Sequence, residues 1–140
     1  MTTRLPPVPR QELPEKFRKL VEADLAAGRD PNMNSVLAHL PEFFTRYFDF
    51  YYPAHEQGVV PTRIKELARL RIAALNGCQT CGFARYASAT RQGLDEACIA
   101  ALELPADERP FDAREALAVE LAERMVTDHR LVDNAFMQEL

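Results

Sequence analysis

Two cysteines three residues apart, Cys78 and Cys81, are the side chains of this sequence best suited to chemistry. Thiolate is the reactive form of cysteine, and the opening of a helix favours negative charge, so thiols placed there are prepared for redox or nucleophilic work. Residues three apart on a helix hold their Cβ atoms about 5–6 Å apart. A disulfide needs roughly 3.5–4.5 Å, so a small adjustment of the first turn closes one. A pair that opens and closes cheaply suits redox cycling better than permanent cross-linking. Arg85 lies four residues past Cys81, and the i, i+3, i+7 spacing predicts all three on one helical face, where a fixed positive charge favours thiolate. Glu66, twelve residues before Cys78, is a carboxylate on the preceding helix.

Blander readings of the same residues stay open at this point. A single Cys-x-x-Cys is half a zinc site, but no second pair exists, and only Cys98 and scattered histidines remain to complete it; no metal or other cofactor is expected. The two thiols can also be inert and buried. A thioredoxin-type motif requires a preceding strand, and here a helix precedes it. On spacing alone, Glu66 reads as a surface partner of Arg63 or Arg69.

The elements that must position this corner are all helical. From about Pro14, the apolar residues Phe17, Leu20, Val21 and Leu25 follow helical spacing, with Gly28 as a stop. A turn at residues 30–35 leads into a short helix ending near Leu40, and Pro41 opens the next. That helix carries Phe43, Phe44, Tyr47, Phe48, Phe50, Tyr51 and Tyr52, a set read first as core, otherwise as a subunit interface or the wall of an apolar pocket. Pro53 is expected to kink or end it. Pro61 opens the helix of Glu66, whose apolar residues cover most of its circumference, and Asn76-Gly77 ends it.

The Cys-x-x-Cys helix is expected to run over residues 79–92, stopped by Gly93, followed by a shorter helix over 95–103. Asp112 with Glu115 three residues on resembles a capping box for a long helix to about Thr127, and a last turn or two starts near Val132. No strand-like alternation and no internal repeat are present. The class is all-α, with about six to seven helices in a single domain over residues 13–140. Residues 1–12, rich in proline, form an extended arm.

Bulk properties narrow the function classes. The chain has 140 residues, 47% hydrophobic and 27% charged, which is enough to bury a core without staples. Net charge is −4 with basic and acidic residues interspersed, so no nucleic-acid partner is indicated. Three cysteines, two of them in one motif, do not suit a secreted disulfide scaffold and fit a reducing compartment. No apolar run approaches the roughly 18 residues that span a bilayer, so no membrane partner is expected. Residues 1–10 lack an apolar segment of the secretory kind. The expected location is cytoplasmic.

Glu-x11-Cys-x2-Cys, set in KELARLRIAALNGCQTCGFA and followed by a Gly-Leu-Asp-Glu turn, resembles the alkylhydroperoxidase AhpD-like branch of the carboxymuconolactone decarboxylase family. The opening LPPVPRQELPEKFRKL, the stretch VLAHLPEFFTRYFDFY and the Pro61 helix resemble its peroxidase-related members. The resemblance implies an all-α fold, assembly as a homo-oligomer (trimer or hexamer), and reduction of a small-molecule peroxide or disulfide by a cysteine pair. Carried over, Cys81 is the peroxidatic thiol, and Cys78 forms the disulfide and meets an external dithiol reductant. Glu66 belongs to the proton relay.

The sequence departs from that pattern where the family has a histidine four residues after the second cysteine, because Arg85 stands there. Arginine stabilises a thiolate but stays protonated at any working pH, so it cannot shuttle a proton. The inter-cysteine position often occupied by histidine is Thr80. Glu66 and Arg85 can instead pair across the two helices. His55 is a candidate replacement base, read mainly as an exposed loop residue, while His39, His129 and Cys98 are read as structural. Family members commonly continue past the point of Leu140, where a closing helix would follow. Two alternatives accompany the redox reading. One is a lyase or isomerase on a small carboxylated lactone, with Arg85 binding the carboxylate and Glu66 handling protons. The other is a non-catalytic oligomerising or binding protein.

Overall fold

A computed structural model describes residues 4–140, and among them every regular element is helical. The chain clusters into two compact units, Met1–Pro53 and Ala54–Leu140. Of the expected N-terminal arm, residues 1–3 lie outside the described part; the rest has no regular structure until a 3-10 turn at Arg10–Glu12.

In the first unit, α1 (Glu15–Ala26) and α2 (Asn32–Leu37) precede the start of α3 (Pro41–Glu56). Gly28 ends α1 with a φ of 66°, the left-handed geometry for which glycine is suited. The core of this unit is Leu13, Phe17, Val21, Ala38 and Phe48. Val8 N–H donates to the Ser35 carbonyl at 3.1 Å and His39 Nε2 lies 2.8 Å from the Pro6 carbonyl, which fastens residues 6–8 to α2 and the turn after it. Most of the aromatic run is not core. Phe48 is buried against Phe17, but Phe43 is 63% and Phe50 73% exposed, and Tyr47 and Tyr52 are exposed as well. Seven aromatics in ten residues spread over more than half of the helix circumference, and Phe48 with the half-buried Phe44 faces this core.

Pro53 does not end α3, which continues through it to Glu56. A proline removes one intrahelical donor, here the one that would bond the Asp49 carbonyl. The last turn is instead held from outside: Lys65 Nζ donates to the Ala54 carbonyl at 2.8 Å and to the Gln57 carbonyl at 2.5 Å.

The second unit is built on α4 (Thr62–Leu75) packed against α8 (Ala113–Thr127). Leu67, Leu70, Leu102 and Val119 form its core with Ala89 and Leu94. Full burial of each leucine stabilises by about 2 kcal/mol. Between them run α5 (Gln79–Phe83), α6 (Ala87–Arg91) and α7 (Glu96–Ala101), and α9 (Asn134–Glu139) follows α8. The expected capping box is present: the Asp112 carboxylate accepts from Glu115 N–H, and the Glu115 carboxylate accepts from Asp112 N–H. Glu115 also pairs with Arg63 of α4 at 2.5 Å, so one carboxylate caps α8 and joins it to α4.

The all-α expectation holds. The chain divides more finely than the periodicity suggests, because the single helix expected over residues 79–92 is two short ones. The break has a local cause. In a continuous helix the Cys81 carbonyl would accept from Arg85 N–H, but here Arg69 Nη1 occupies it at 2.6 Å, and Arg69 Nη2 binds the Ala84 carbonyl at 3.0 Å. Ala84 is extended (φ −64°, ψ 136°), and Gly82 within α5 is a poor helix former. No helix is long and apolar enough to cross a membrane among the described residues.

Candidate functional site

Helix α4 delivers the carboxylate. Glu66 shares a stripe with Leu70 and Ala73, at i, i+4 and i+7, and both neighbours are core residues. The carboxylate is therefore drawn inside, to 0% exposure. Taking it out of water costs several kcal/mol unless partners replace the lost hydration. Arg69, one turn on, supplies a two-pronged partner: Nε lies 2.5 Å from Glu66 Oε1 and Nη2 lies 2.9 Å from Oε2. The spacing had left Arg63 and Arg69 as alternatives on the surface. Arg69 is the partner, half-buried, and the carboxylate it holds is fully buried.

The same guanidinium reaches the cysteine corner through the carbonyls of Cys81 and Ala84. Gly77, at φ 61°, reverses the chain after α4, and Cys78 N–H returns to the Ala73 carbonyl at 2.9 Å. Cys78 caps α5, its Sγ accepting from Cys81 N–H at 3.4 Å. Cys78 and Cys81 are joined as a disulfide with Cα atoms 5.4 Å apart. Cys81 is exposed and Cys78 half-buried. Beside Cys78 opens a cavity of about 460 Å³ walled by Leu70, Ala73, Ile99 and Leu102, with Glu103 on its lining. Glu103 is itself 3.5 Å from Arg71.

Arg85 is not on the expected helical face. The break at Ala84 turns it away, and its guanidinium grips Glu96 through Nε to Oε1 at 2.8 Å and Nη2 to Oε2 at 3.0 Å. Its Nη1 donates to the carbonyls of Gly82 and Ala84. The expected Glu66–Arg85 pair is therefore replaced by Glu66–Arg69 and Arg85–Glu96. Hydrogen bonding to Glu96 holds the Arg85 proton more firmly than usual and lowers the pKa of Glu96.

His55 is the largest revision. It is 8% exposed rather than an open loop residue, and its Nε2 lies 3.0 Å from Glu66 Oε1. Its ring sits 4.2 Å from the Tyr86 ring, centroid to centroid, and the Arg69 guanidinium lies 5.7 Å over that same tyrosine. Burial pushes the imidazole below its usual pKa; Arg69 and Lys65 push the same way, against the opposing pull of Glu66 and Glu56. Motif spacing gives no sign of Tyr86, and His55 entered only as a candidate replacement base read mainly as an exposed loop residue. The sequence signal for Arg69 was its i+3 position alone. Cys98 packs at the edge of the core, and its Sγ accepts from Arg63 Nη2 at 3.6 Å. Among the described residues, no three His, Cys, Asp or Glu side chains converge as metal ligands.

Comparison with known proteins places this arrangement. Across 98% of its length the chain is similar to a solved structure from Ralstonia eutropha JMP134, described as an alkylhydroperoxidase AhpD core and an uncharacterized peroxidase-related protein. The TM-score is 0.75 and the identity 23%, over 73% of that chain, so the two share the fold. No curated protein matches the chain. The model of the carboxymuconolactone decarboxylase family matches residues 41–124, a stretch that contains His55, Glu66, Arg69, both paired cysteines and Arg85. With more than half of its length so matched, the chain belongs to the carboxymuconolactone decarboxylase family.

Proposed function

We propose that the chain is a thiol-dependent oxidoreductase that reduces a small peroxide or disulfide through Cys78 and Cys81. The observation that carries this reading is the bonded cysteine pair at an accessible corner, fastened by Arg69 to a fully buried carboxylate. In this reading the exposed Cys81 attacks the oxidant, and Cys78 closes the disulfide. Cys78, on the wall of the cavity, then meets an external dithiol that restores the pair. Glu66 handles the protons, and Arg85 acts as a fixed charge beside the motif. Assembly as a homo-oligomer, trimer or hexamer, belongs to the same proposal.

The lyase reading is weaker on a specific point. A carboxylated lactone needs a cation to receive it, but the cavity lining includes no lysine or arginine, and Arg85 is already held by Glu96. The test is a thiol count on protein reduced with dithiothreitol and then treated with one equivalent of cumene hydroperoxide. Two thiols should be lost and regained on renewed reduction, with Cys98 retained, and Cys81→Ser should abolish the loss. Three thiols still titrating after the hydroperoxide would overturn the redox assignment.

A further inference from the structure

Two arginines flank the cysteine corner, and neither can take and return a proton near neutral pH. Arg69 is committed to Glu66, and Arg85, at the place where the family resemblance puts a histidine, is committed to Glu96. Yet the reaction proposed above must move protons twice. Reduction of a hydroperoxide ROOH by two thiols yields ROH, water and the disulfide. In the first step the sulfur takes the terminal oxygen as its own proton leaves, and the O–O electrons depart with RO⁻, which then needs that proton. In the second step the other sulfur displaces hydroxide from the sulfenic acid, and its proton leaves with the hydroxide as water.

His55 is placed to manage those protons. Its Nε2 is 3.0 Å from Glu66 Oε1, close enough for an imidazolium and that carboxylate to pair. Three features fix the ring. Lys65 clamps the end of α3 through the Ala54 and Gln57 carbonyls, Tyr86 lies against one face, and α3 runs on past Pro53 to carry the residue inward. Arg69 hydrogen-bonds both Glu66 and the Cys81 carbonyl, so the carboxylate that the imidazole approaches is tied to the cysteine loop. The charged groups facing the ring are Glu66, Arg69 and Lys65 from α4 and Glu56 from its own helix.

We propose that His55 is the proton-holding and positioning partner of Glu66 in cysteine oxidation, the part that Arg85 cannot play; the inference rests on the redox reading above. Between departure from sulfur and arrival at oxygen, the proton resides on the His55–Glu66 pair, as an imidazolium against a carboxylate. Imidazole is the side chain whose ordinary titration range makes such uptake and return cheap near neutrality. Burial that depresses its proton affinity also favours the return.

The test uses the full chain, reduced with dithiothreitol and desalted, with thiol loss followed under cumene hydroperoxide from pH 5 to 8. For His55→Gln the rate should fall by about 100-fold, and the acidic inflection of the wild-type profile should vanish. His129→Gln, an exposed histidine, should keep the wild-type rate and profile. If His55→Gln reacts as fast as wild type with the same profile, the His55 role is overturned while the redox reading stands. If the wild-type thiols do not react at all, both fall. Should His55→Gln fail to fold, the wild-type ring decides by NMR. Its titration midpoint should move when the disulfide is reduced, and an unmoved midpoint would overturn the role.

Discussion

Two arginine–carboxylate pairs flank the cysteine corner, and they differ in almost everything but chemistry. Arg69 grips Glu66 inside the second unit, where the carboxylate has no exposed surface. Arg85 grips Glu96 with the same fork geometry on the outside, with the Glu96 side chain 76% exposed. Inside, neither partner can be removed cheaply, because the other is left charged in a low-dielectric site. Outside, water replaces either partner, and such pairs contribute little. The corner therefore hangs on Arg69, which holds the Cys81 and Ala84 carbonyls, and not on Arg85, which the motif spacing highlights.

The comparison is broken most directly by Arg69→Met. This leaves Glu66 buried without its guanidinium and should lower unfolding free energy by about 3–5 kcal/mol, measured by urea denaturation. The double variant Glu66→Leu/Arg69→Met should recover most of that loss, since it removes both charges. If Arg69→Met alone is neutral, the inner pair does not anchor the corner.

A second, smaller effect is a pH slope. Because the folded-state pKa of His55 is depressed, the unfolded chain takes up the proton first as pH falls. The stability that His55 contributes is complete above the ordinary histidine value of 6.5 and is lost as pH drops below it. The slope reaches at most about 1.4 kcal/mol per pH unit. Urea midpoints at pH 7.5 and pH 5 should converge in His55→Gln relative to wild type. Equal slopes in both proteins would show that the imidazole is not constrained. The smallest effect belongs to the outer pair: Glu96→Gln should leave the thermal midpoint where it is. A marked drop would mean that Arg85 carries more of the corner than its exposure allows.

Much of the scaffold was legible because it follows local rules. Apolar residues marked α1 and α4, the proline at 41 opened α3, and the Asp112–Glu115 box opened α8 where its spacing put it. The glycines at 28, 77 and 93 all take positive φ at helix ends. The site was less legible because its deciding contacts are tertiary. Helical continuity would have set Arg85 beside the cysteines, but Arg69 captured the carbonyls that such a helix needs. Pro53 argued for a helix end before His55, and the Lys65 clamp that keeps the turn together comes from eleven residues away. The aromatic run read as core because composition counts residues without showing which sides of a helix have neighbours. Even so, Glu66 had a readable hint: it falls on the Leu70–Ala73 stripe, and a carboxylate in an apolar stripe is buried.

Helix α5 has a consequence for how far an oxidation event can be felt. It is five residues long and contributes no buried side chain, so it cannot sustain its own coil and takes its shape from one guanidinium beneath it. Making or breaking a bond between its sulfurs therefore pulls on no packed layer. Under the proposed redox cycle, the movement stays within this short helix, and what reaches the interior is charge, passed by Arg69 to Glu66 and His55.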